Sequence, residues 1–251
     1  RPSRLLPGIQ SPLKNIGPAE LDWVIVRENT EGEYSGAGGR VHPKLPQEVG
    51  IDVSVFTRDG IERVMRYAFE LALTRPKKQL TLVTKSNAQR HGMVLWDEVF
   101  ENLKHDYPGI TTDRMLVDAI TTRMVLQPQS LDTIVATNLH ADILSDLAAA
   151  LSGSLGIGPT ANINPERTFP SMFEPIHGSA FDLVGKDLAN PLGAFWSCVM
   201  MLEHLQENKG ASLLMSAIEE VCQEGRHLPK DLGGNSCTGE VTTAVCAALK
   251  K

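Results

Sequence analysis

Thr133-Ile134-Val135-Ala136-Thr137-Asn138-Leu139-His140-Ala141-Asp142-Ile143-Leu144-Ser145-Asp146 opens on an apolar, β-branched run. Such a run reads as a buried strand. If a helix follows, Asp142 and Asp146 stand four residues apart on one face of its first turns. Like charges at that spacing repel by roughly a few tenths of a kcal/mol even when exposed, so the pair invites a cation. Oxygen donors alone suit a hard divalent ion, Mg²⁺ or Mn²⁺. D-x-x-x-D is also common on solvated helix faces, and the pair by itself leaves both readings open.

Strand-like runs alternate with helical periods on either side, the pattern of an α/β architecture. Asp22–Val26 reads as a strand leading into the polar loop Arg27-Glu28-Asn29-Thr30-Glu31-Gly32-Glu33-Tyr34. A glycine- and proline-containing stretch follows, then Val53–Phe56 as a strand and an amphipathic helix over Asp59–Leu73, ended by Pro76. Leu80–Val83 and Met115–Val117 read as strands, with Lys85 and Asp118 just beyond them, and Met93–Leu103 as a helix between. Lys85, Asp118 and the Asp142/Asp146 pair thus follow carboxyl ends of strands, where open α/β sheets place ligands. Past Gly153 the texture changes to proline-broken loops and then three helical stretches, near 191–206, 211–223 and 239–249, which sets a domain boundary at about residue 153.

The chain has 251 residues, 42% hydrophobic and 22% charged, with a net charge of −6. That is an ordinary globular composition, and its acidity argues against general affinity for nucleic acid or anionic membrane. The four cysteines lie in the last quarter with no C-x-x-C pair, so neither a zinc site nor a disulfide framework is indicated, and a cytoplasmic location is expected. No apolar run is long enough to span a bilayer. The chain opens on Arg1 without an initiator methionine, which reads as processing or truncation.

Several polar residues carry possible chemistry. Phe173-Glu174-Pro175-Ile176-His177-Gly178-Ser179-Ala180, with Asp182 and Asn190-Pro191, has the composition of a ligand loop or of a structural turn. Gly178 permits close backbone approach, Ser179 and nearby N–H groups suit phosphate oxygens, and Asp182 suits a ribose hydroxyl. There is no G-x-G-x-x-G at a strand-to-helix junction, so a Rossmann site is not supported. Lys85 is a solvated charge in isolation, but beside a divalent cation it becomes a proton acceptor. Tyr34 is a candidate proton donor or a half-buried structural tyrosine. Arg27, Arg123 and Arg1 suit a carboxylate held in bidentate fashion or surface ion pairs. His140, two residues before Asp142, suits contact with substrate or metal, or a helix-start or solvent-facing role. No G-x-S-x-G elbow or Cys/His arrangement supports nucleophilic catalysis.

Together, Arg27–Tyr34, Thr84-Lys85-Ser86-Asn87, Asn138-Leu139-x-x-Asp142-Ile143-Leu144-Ser145-Asp146 and His177-Gly178-Ser179-Ala180 resemble the metal-dependent β-decarboxylating dehydrogenases in order and spacing. That family includes isopropylmalate, isocitrate, tartrate and D-malate dehydrogenases. Arg1–Gly8 and Asn164–Ser171 look like the tartrate/D-malate branch, and Ile9-Gln10-Ser11-Pro12 looks shorter than its isopropylmalate counterpart, without the arginine expected there.

The resemblance implies an isopropylmalate dehydrogenase-like two-domain α/β fold without a Rossmann motif. Residues 1–153 would form the smaller, dimer-forming domain with the metal and catalytic residues, the first few belonging to the larger domain. Residues 154–251 would be the carboxyl-terminal part of the larger, NAD-binding domain, whose amino-terminal part is missing. It further implies NAD-dependent oxidation, with β-decarboxylation, of tartrate or D-malate in a homodimer with shared active sites. Asp142 and Asp146 would bind Mg²⁺ or Mn²⁺ with Asp118 of the partner subunit. Lys85, also reaching across the dimer, would help remove the hydroxyl proton, Tyr34 would protonate the enol, and Arg1 and Arg27 would hold the substrate carboxylate. His177, Gly178, Ser179, Ala180, Asp182 and Asn190 would line the NAD site, Asp182 repelling the 2′-phosphate of NADP. His140-Ala141 stands where the family usually has Phe-Gly, and Phe181 where proline is usual. The same motifs also fit 3-isopropylmalate dehydrogenase, or a catalytically silent dimer-forming subunit or fragment.

Overall fold

The computed structural model describes residues 1–250. In chain order its elements are β1 (Pro2–Arg4), β2 (Asp22–Arg27), β3 (Gly32–Val41), β4 (Val49–Val55), α1 (Arg58–Thr74), β5 (Gln79–Thr84), α2 (Gly92–Leu103), β6 (Thr111–Leu116), α3 (Val117–Leu126), β7 (Thr133–Ala136), α4 (Asn138–Leu151), β8 (Pro159–Asn162), β9 (Met172–Pro175), α5 (Leu192–His204), α6 (Asn208–Glu224) and α7 (Thr238–Ala248). The chain forms an α/β fold of two compact units, Val24–Leu144 and Arg1–Trp23 with Ser145–Lys251. The division falls inside α4, whereas the sequence texture changes after that helix, near residue 153.

In Val24–Leu144, parallel strands run in the order β2-β7-β5-β6, with Val24 and Leu80 both opposite Thr133 and Leu82 opposite Arg114. All four residues of β7 are buried, as its unbroken apolar run requires of a central parallel strand. Ile61, Met65 and Phe69 of α1 share a core with Trp96 and Phe100 of α2, and Phe69 stacks on Phe100 and Tyr107 with centroids 5.4 and 4.7 Å away. Each such side chain, fully buried, contributes about 1.5–3 kcal/mol. Thr57 caps α1 by accepting from the Gly60 N–H at 3.1 Å. The helix ends at Thr74 because Arg75 precedes a proline and is pushed into extended backbone.

The stretch read from sequence as a polar loop followed by a glycine-rich segment contains strand β3. It pairs antiparallel with β4, Ala37 opposite Val53 and Val41 opposite Val49. Its glycines mask a strand for a packing reason: a Cβ on Gly38 would lie 2.2 Å from the Ile51 carbonyl oxygen. Every residue of β4 is exposed, so no one-sided burial imposes a period-two pattern.

In the other unit, Leu6, Trp196, Ile218, Val241 and Val245 form the core under α5, α6 and α7. These three helices agree with the periodicity to within about three residues. β8 and β9 form an antiparallel pair, Thr160 opposite Glu174. Gly225, at φ +67°, ends α6 in the left-handed conformation that favours glycine. Among the described residues no helix is long and apolar enough to cross a membrane.

Candidate active site

Arg27 ends β2 opposite Ala136, the last residue of β7, and this register brings its side chain to the first turn of α4. Its Nε and Nη2 donate to Asn138 Oδ1 at 2.9 and 2.6 Å, and its Nη1 pairs with Asp142 Oδ1. Tyr34 Oη donates to Asp142 Oδ2 at 3.1 Å, and the guanidinium carbon lies 5.5 Å from the Tyr34 ring centroid. Three sequence candidates, Arg27, Tyr34 and Asp142, therefore form one cluster. Arg27 is 13% exposed and Asp142 36%, so the cation sits inside and the carboxylate faces outward.

Glu28 and Asn138 support this cluster, and residue chemistry alone did not single them out. Glu28, 3% exposed, accepts from the Thr30 and Glu31 N–H groups at 2.9 Å and from the Thr30 hydroxyl. A buried carboxylate turned onto its own loop shapes the segment from Arg27 to Tyr34. Asn138 Nδ2 donates to the Glu31 carbonyl at 3.1 Å, tying the same loop to α4. The sequence signal was present, since both lie within the motifs that carry Arg27 and Asp142.

Lys85 follows β5, and Asp118 lies in the first turn of α3, directly after the adjacent strand β6. Lys85 Nζ donates to Asp118 Oδ1 at 2.5 Å. This hydrogen bond holds the Asp118 carboxyl below the ordinary aspartate range, although Asp118 itself is exposed. β2, β7, β5 and β6 are neighbours, so Arg27, Asp142, Lys85 and Asp118 all follow the carboxyl ends of one parallel sheet. Asp146 lies one helical turn beyond Asp142 on α4. Among the described residues of the single chain, no three His, Cys, Asp or Glu side chains form a metal-binding group.

His140 is buried rather than solvated, and its backbone N–H donates to Thr137 Oγ1 at 3.3 Å. Burial holds its pKa below the ordinary histidine value; Glu33 opposes that shift and Lys85 reinforces it. Arg123 is engaged by Asp113 and by Ser130 Oγ at 2.7 Å, which commits it to the β6–α3 region.

In the other unit, Arg1 Nη1 donates to Ser145 Oγ at 2.6 Å. His177, Gly178, Ser179, Ala180 and Asp182 occupy one loop after β9; His177 Nδ1 lies 2.9 Å from the Gly178 carbonyl oxygen, and Ala180 is left-handed at φ +42°. Phe181 is 84% exposed in a short 3₁₀ turn, so no core packing there demands proline. Asn190 Nδ2 donates to Asp231 Oδ2 at 2.8 Å, while its Oδ1 accepts from the Leu192 N–H at 2.9 Å at the start of α5. Asp231, distant in sequence, is a supporting residue with no local signal to find it. Two hollows of about 150 and 540 Å³ along α6 and α7 are lined by none of the anticipated site residues.

The profile of the isocitrate/isopropylmalate dehydrogenase family matches residues 1–247. A protein named probable tartrate dehydrogenase/decarboxylase from Agrobacterium vitis is 65% identical over 249 residues, covering 99% of this chain and 69% of that protein. The decarboxylating D-malate dehydrogenase of Escherichia coli (strain K12) is 49% identical over 257 residues, covering 99% and 70%. Among solved structures, isocitrate dehydrogenase from Methylococcus capsulatus superposes with a TM-score of 0.91 at 37% identity, over 100% of this chain and 72% of that one.

Proposed function

The chain belongs to the isocitrate/isopropylmalate dehydrogenase family, and from that premise we propose that it oxidises tartrate or D-malate with NAD as hydride acceptor, decarboxylating the product where its chemistry allows. The carrying observation is the Arg27–Tyr34–Asp142 cluster at the mouth of the parallel sheet, beside the strand end that bears Lys85. Among the relatives, the tartrate and D-malate enzymes supply the substrate class.

Arg27 holds a substrate carboxylate by exchanging part of its fork away from Asp142, and Arg1 holds it as well. Lys85 would take the proton from the substrate hydroxyl oxygen while the carbon bearing that oxygen gives up its hydride to NAD. Lys85 Nζ is engaged by Asp118 Oδ1 at 2.5 Å, so this contact must open for Nζ to meet the substrate hydroxyl. Tyr34 Oη delivers a proton to the carbon that loses its carboxylate. His177, Gly178, Ser179, Ala180, Asp182 and Asn190 form the NAD site, with Asp231 orienting Asn190.

The donor chemistry fits Mg²⁺ or Mn²⁺: Asp142 and Asp146 offer oxygen ligands one turn apart on α4, completed by Asp118 of the partner subunit. When bound, such an ion polarises the substrate oxygen and withdraws the charge that develops on it. In that arrangement Lys85 and Asp118, bonded to each other in one chain, both reach the site of a second copy, which makes a homodimer part of the site. Val49, Ile51, Val53 and Val55 of β4 are 41–50% exposed, an apolar edge suited to a second copy. Residues up to 153 would be the dimer-forming part and residues 154–251 the cofactor-binding part. Four free cysteines support a reducing, cytoplasmic setting.

The test is NADH formation by the purified chain with Mn²⁺ and, separately, tartrate, D-malate and 3-isopropylmalate. Turnover of either of the first two is expected. Exclusive use of 3-isopropylmalate, or dimers that bind Mn²⁺ without any turnover, would overturn the assignment.

A further inference from the structure

We propose that Asp97 is the positioning residue for Lys85, acting through the Ser86 hydroxyl; the inference rests on the role given to Lys85 above. Asp97 sits among the buried positions of α2, where Met93, Trp96, Val99 and Phe100 are core residues. Helical periodicity calls for an apolar side chain at such a place. A carboxylate there loses hydration and is tolerated only with partners. Its Oδ2 accepts from Ser86 Oγ at 2.7 Å and from Arg114 Nη1 at 3.0 Å.

The Arg114 contact does not account for this burial, because the Arg114 side chain is 49% exposed and the Asp97 side chain 12%. An ion pair alone would be met by a carboxylate at the surface. The other contact is to Ser86, which is half-buried and directly follows Lys85. The Lys85 carbonyl accepts from the Ala88 and Gln89 N–H groups, both at 2.9 Å, so Lys85–Gln89 is a tight turn. Behind it, Thr84 is held in the β5–β6 ladder opposite Leu116. Asp97 clamps the turn from the other side. Arg114 extends the clamp to β6, four residues before Asp118, which receives the Lys85 ammonium. Both ends of the Lys85–Asp118 pair are thereby referenced to one carboxylate on α2.

Removing the clamp frees the backbone under Lys85, and displacement of a reacting group by even about 1 Å can cost up to about a hundredfold in rate. A positioning defect of this kind lowers kcat and kcat/KM together. The experiment compares Asp97→Ala, Ser86→Ala, the double variant and Asp97→Asn, with two readouts. One is the steady-state rate with tartrate or D-malate. The other is independent of activity: acetic anhydride labelling of Lys85, normalised to Lys104 and followed by peptide mass mapping.

Asp97→Ala is expected to lower kcat about tenfold, leave KM for the hydroxy acid within about twofold, and raise Lys85 labelling about fivefold. Ser86→Ala is expected to change rate and labelling in the same direction and by no more than Asp97→Ala, and the double variant to add nothing beyond Asp97→Ala. Asp97→Asn keeps a carbonyl acceptor for Ser86 and should recover most of the kcat and the low labelling. Unchanged Lys85 labelling in Asp97→Ala with native helical dichroism, or effects that multiply in the double variant, would overturn the proposal. If Asp97→Ala does not fold, Ser86→Ala carries the same test. Absence of turnover in the unsubstituted chain would defeat the proposed function, while the labelling series still decides the role of Asp97.

Discussion

Replacing Glu28 by alanine should release the loop that carries Arg27 and Tyr34. The carboxylate accepts the Thr30 N–H through both oxygens, at 3.0 and 2.9 Å, and the Glu31 N–H at 2.9 Å. Alanine removes all of these acceptors and leaves two backbone donors without a partner. Each unsatisfied donor costs about 1–3 kcal/mol, and the lower half of that range applies because Thr30 is exposed and Glu31 half-buried, within reach of water. The Arg63 guanidinium, 3.6 Å away and 55% exposed, adds at most about 0.5 kcal/mol. The local loss is then about 3 kcal/mol, equivalent to roughly a hundredfold change in an opening equilibrium. Amide hydrogen exchange at Thr30 and Glu31 measures that opening directly, without requiring the whole chain to unfold as one unit. Exchange should accelerate roughly a hundredfold in Glu28→Ala and less than about tenfold in Glu28→Gln, whose carbonyl keeps an acceptor in place. Acceleration of less than about threefold in Glu28→Ala would show that the loop is held by other contacts, and the reasoning would fail.

Asp142→Asn should weaken Mn²⁺ binding at least about tenfold in a paramagnetic resonance titration, since a charged oxygen ligand is lost; unchanged affinity would remove Asp142 from the cation site. Phe69→Ala removes a fully buried ring stacked on Phe100 and Tyr107 and should cost about 3–5 kcal/mol in urea unfolding, whereas a loss below about 1 kcal/mol would mean the stack is not structural. Burial pushes the Cys222 thiol up to about 12, so the native protein should be alkylated at the exposed Cys198 and Cys246 while Cys222 reacts only on unfolding. The sign follows from the same shift. Unfolded Cys222 ionises near 9.0 and folded Cys222 near 12, so its contribution to stability is complete below pH 9 and is lost as pH rises through that interval. A pH-independent melting temperature between 9 and 11 in a Cys222-only thiol background would contradict it.

Much of the fold was legible in the chain because local physics determines it. β7 is apolar without interruption and is buried in the middle of a parallel sheet; α1 and α2 form where helices were expected, and each buries one apolar face. Lys85, Asp118 and Asp142 follow strand ends, and the structure places the strands that precede them side by side. β3 escaped the sequence because a glycine-rich strand exposed on both faces has neither a buried side nor a period. The β3–β4 pairing is a contact between segments, stabilised by backbone hydrogen bonds that carry no side-chain pattern.

Which residues carry charge and in what order was determined by sequence alone, as was the one-turn spacing of Asp142 and Asp146. Tertiary structure decided their partners. Arg27 meets Asp142 because β2 and β7 pair in one register, and a slip of a single residue would turn Arg27 to the opposite face. Glu28, His140 and Asp97 are polar letters that composition assigns to the surface, yet folding encloses all three. Their roles depend on the groups that meet them inside the protein, and pairing across many residues is a property of the packed chain that no local pattern encodes.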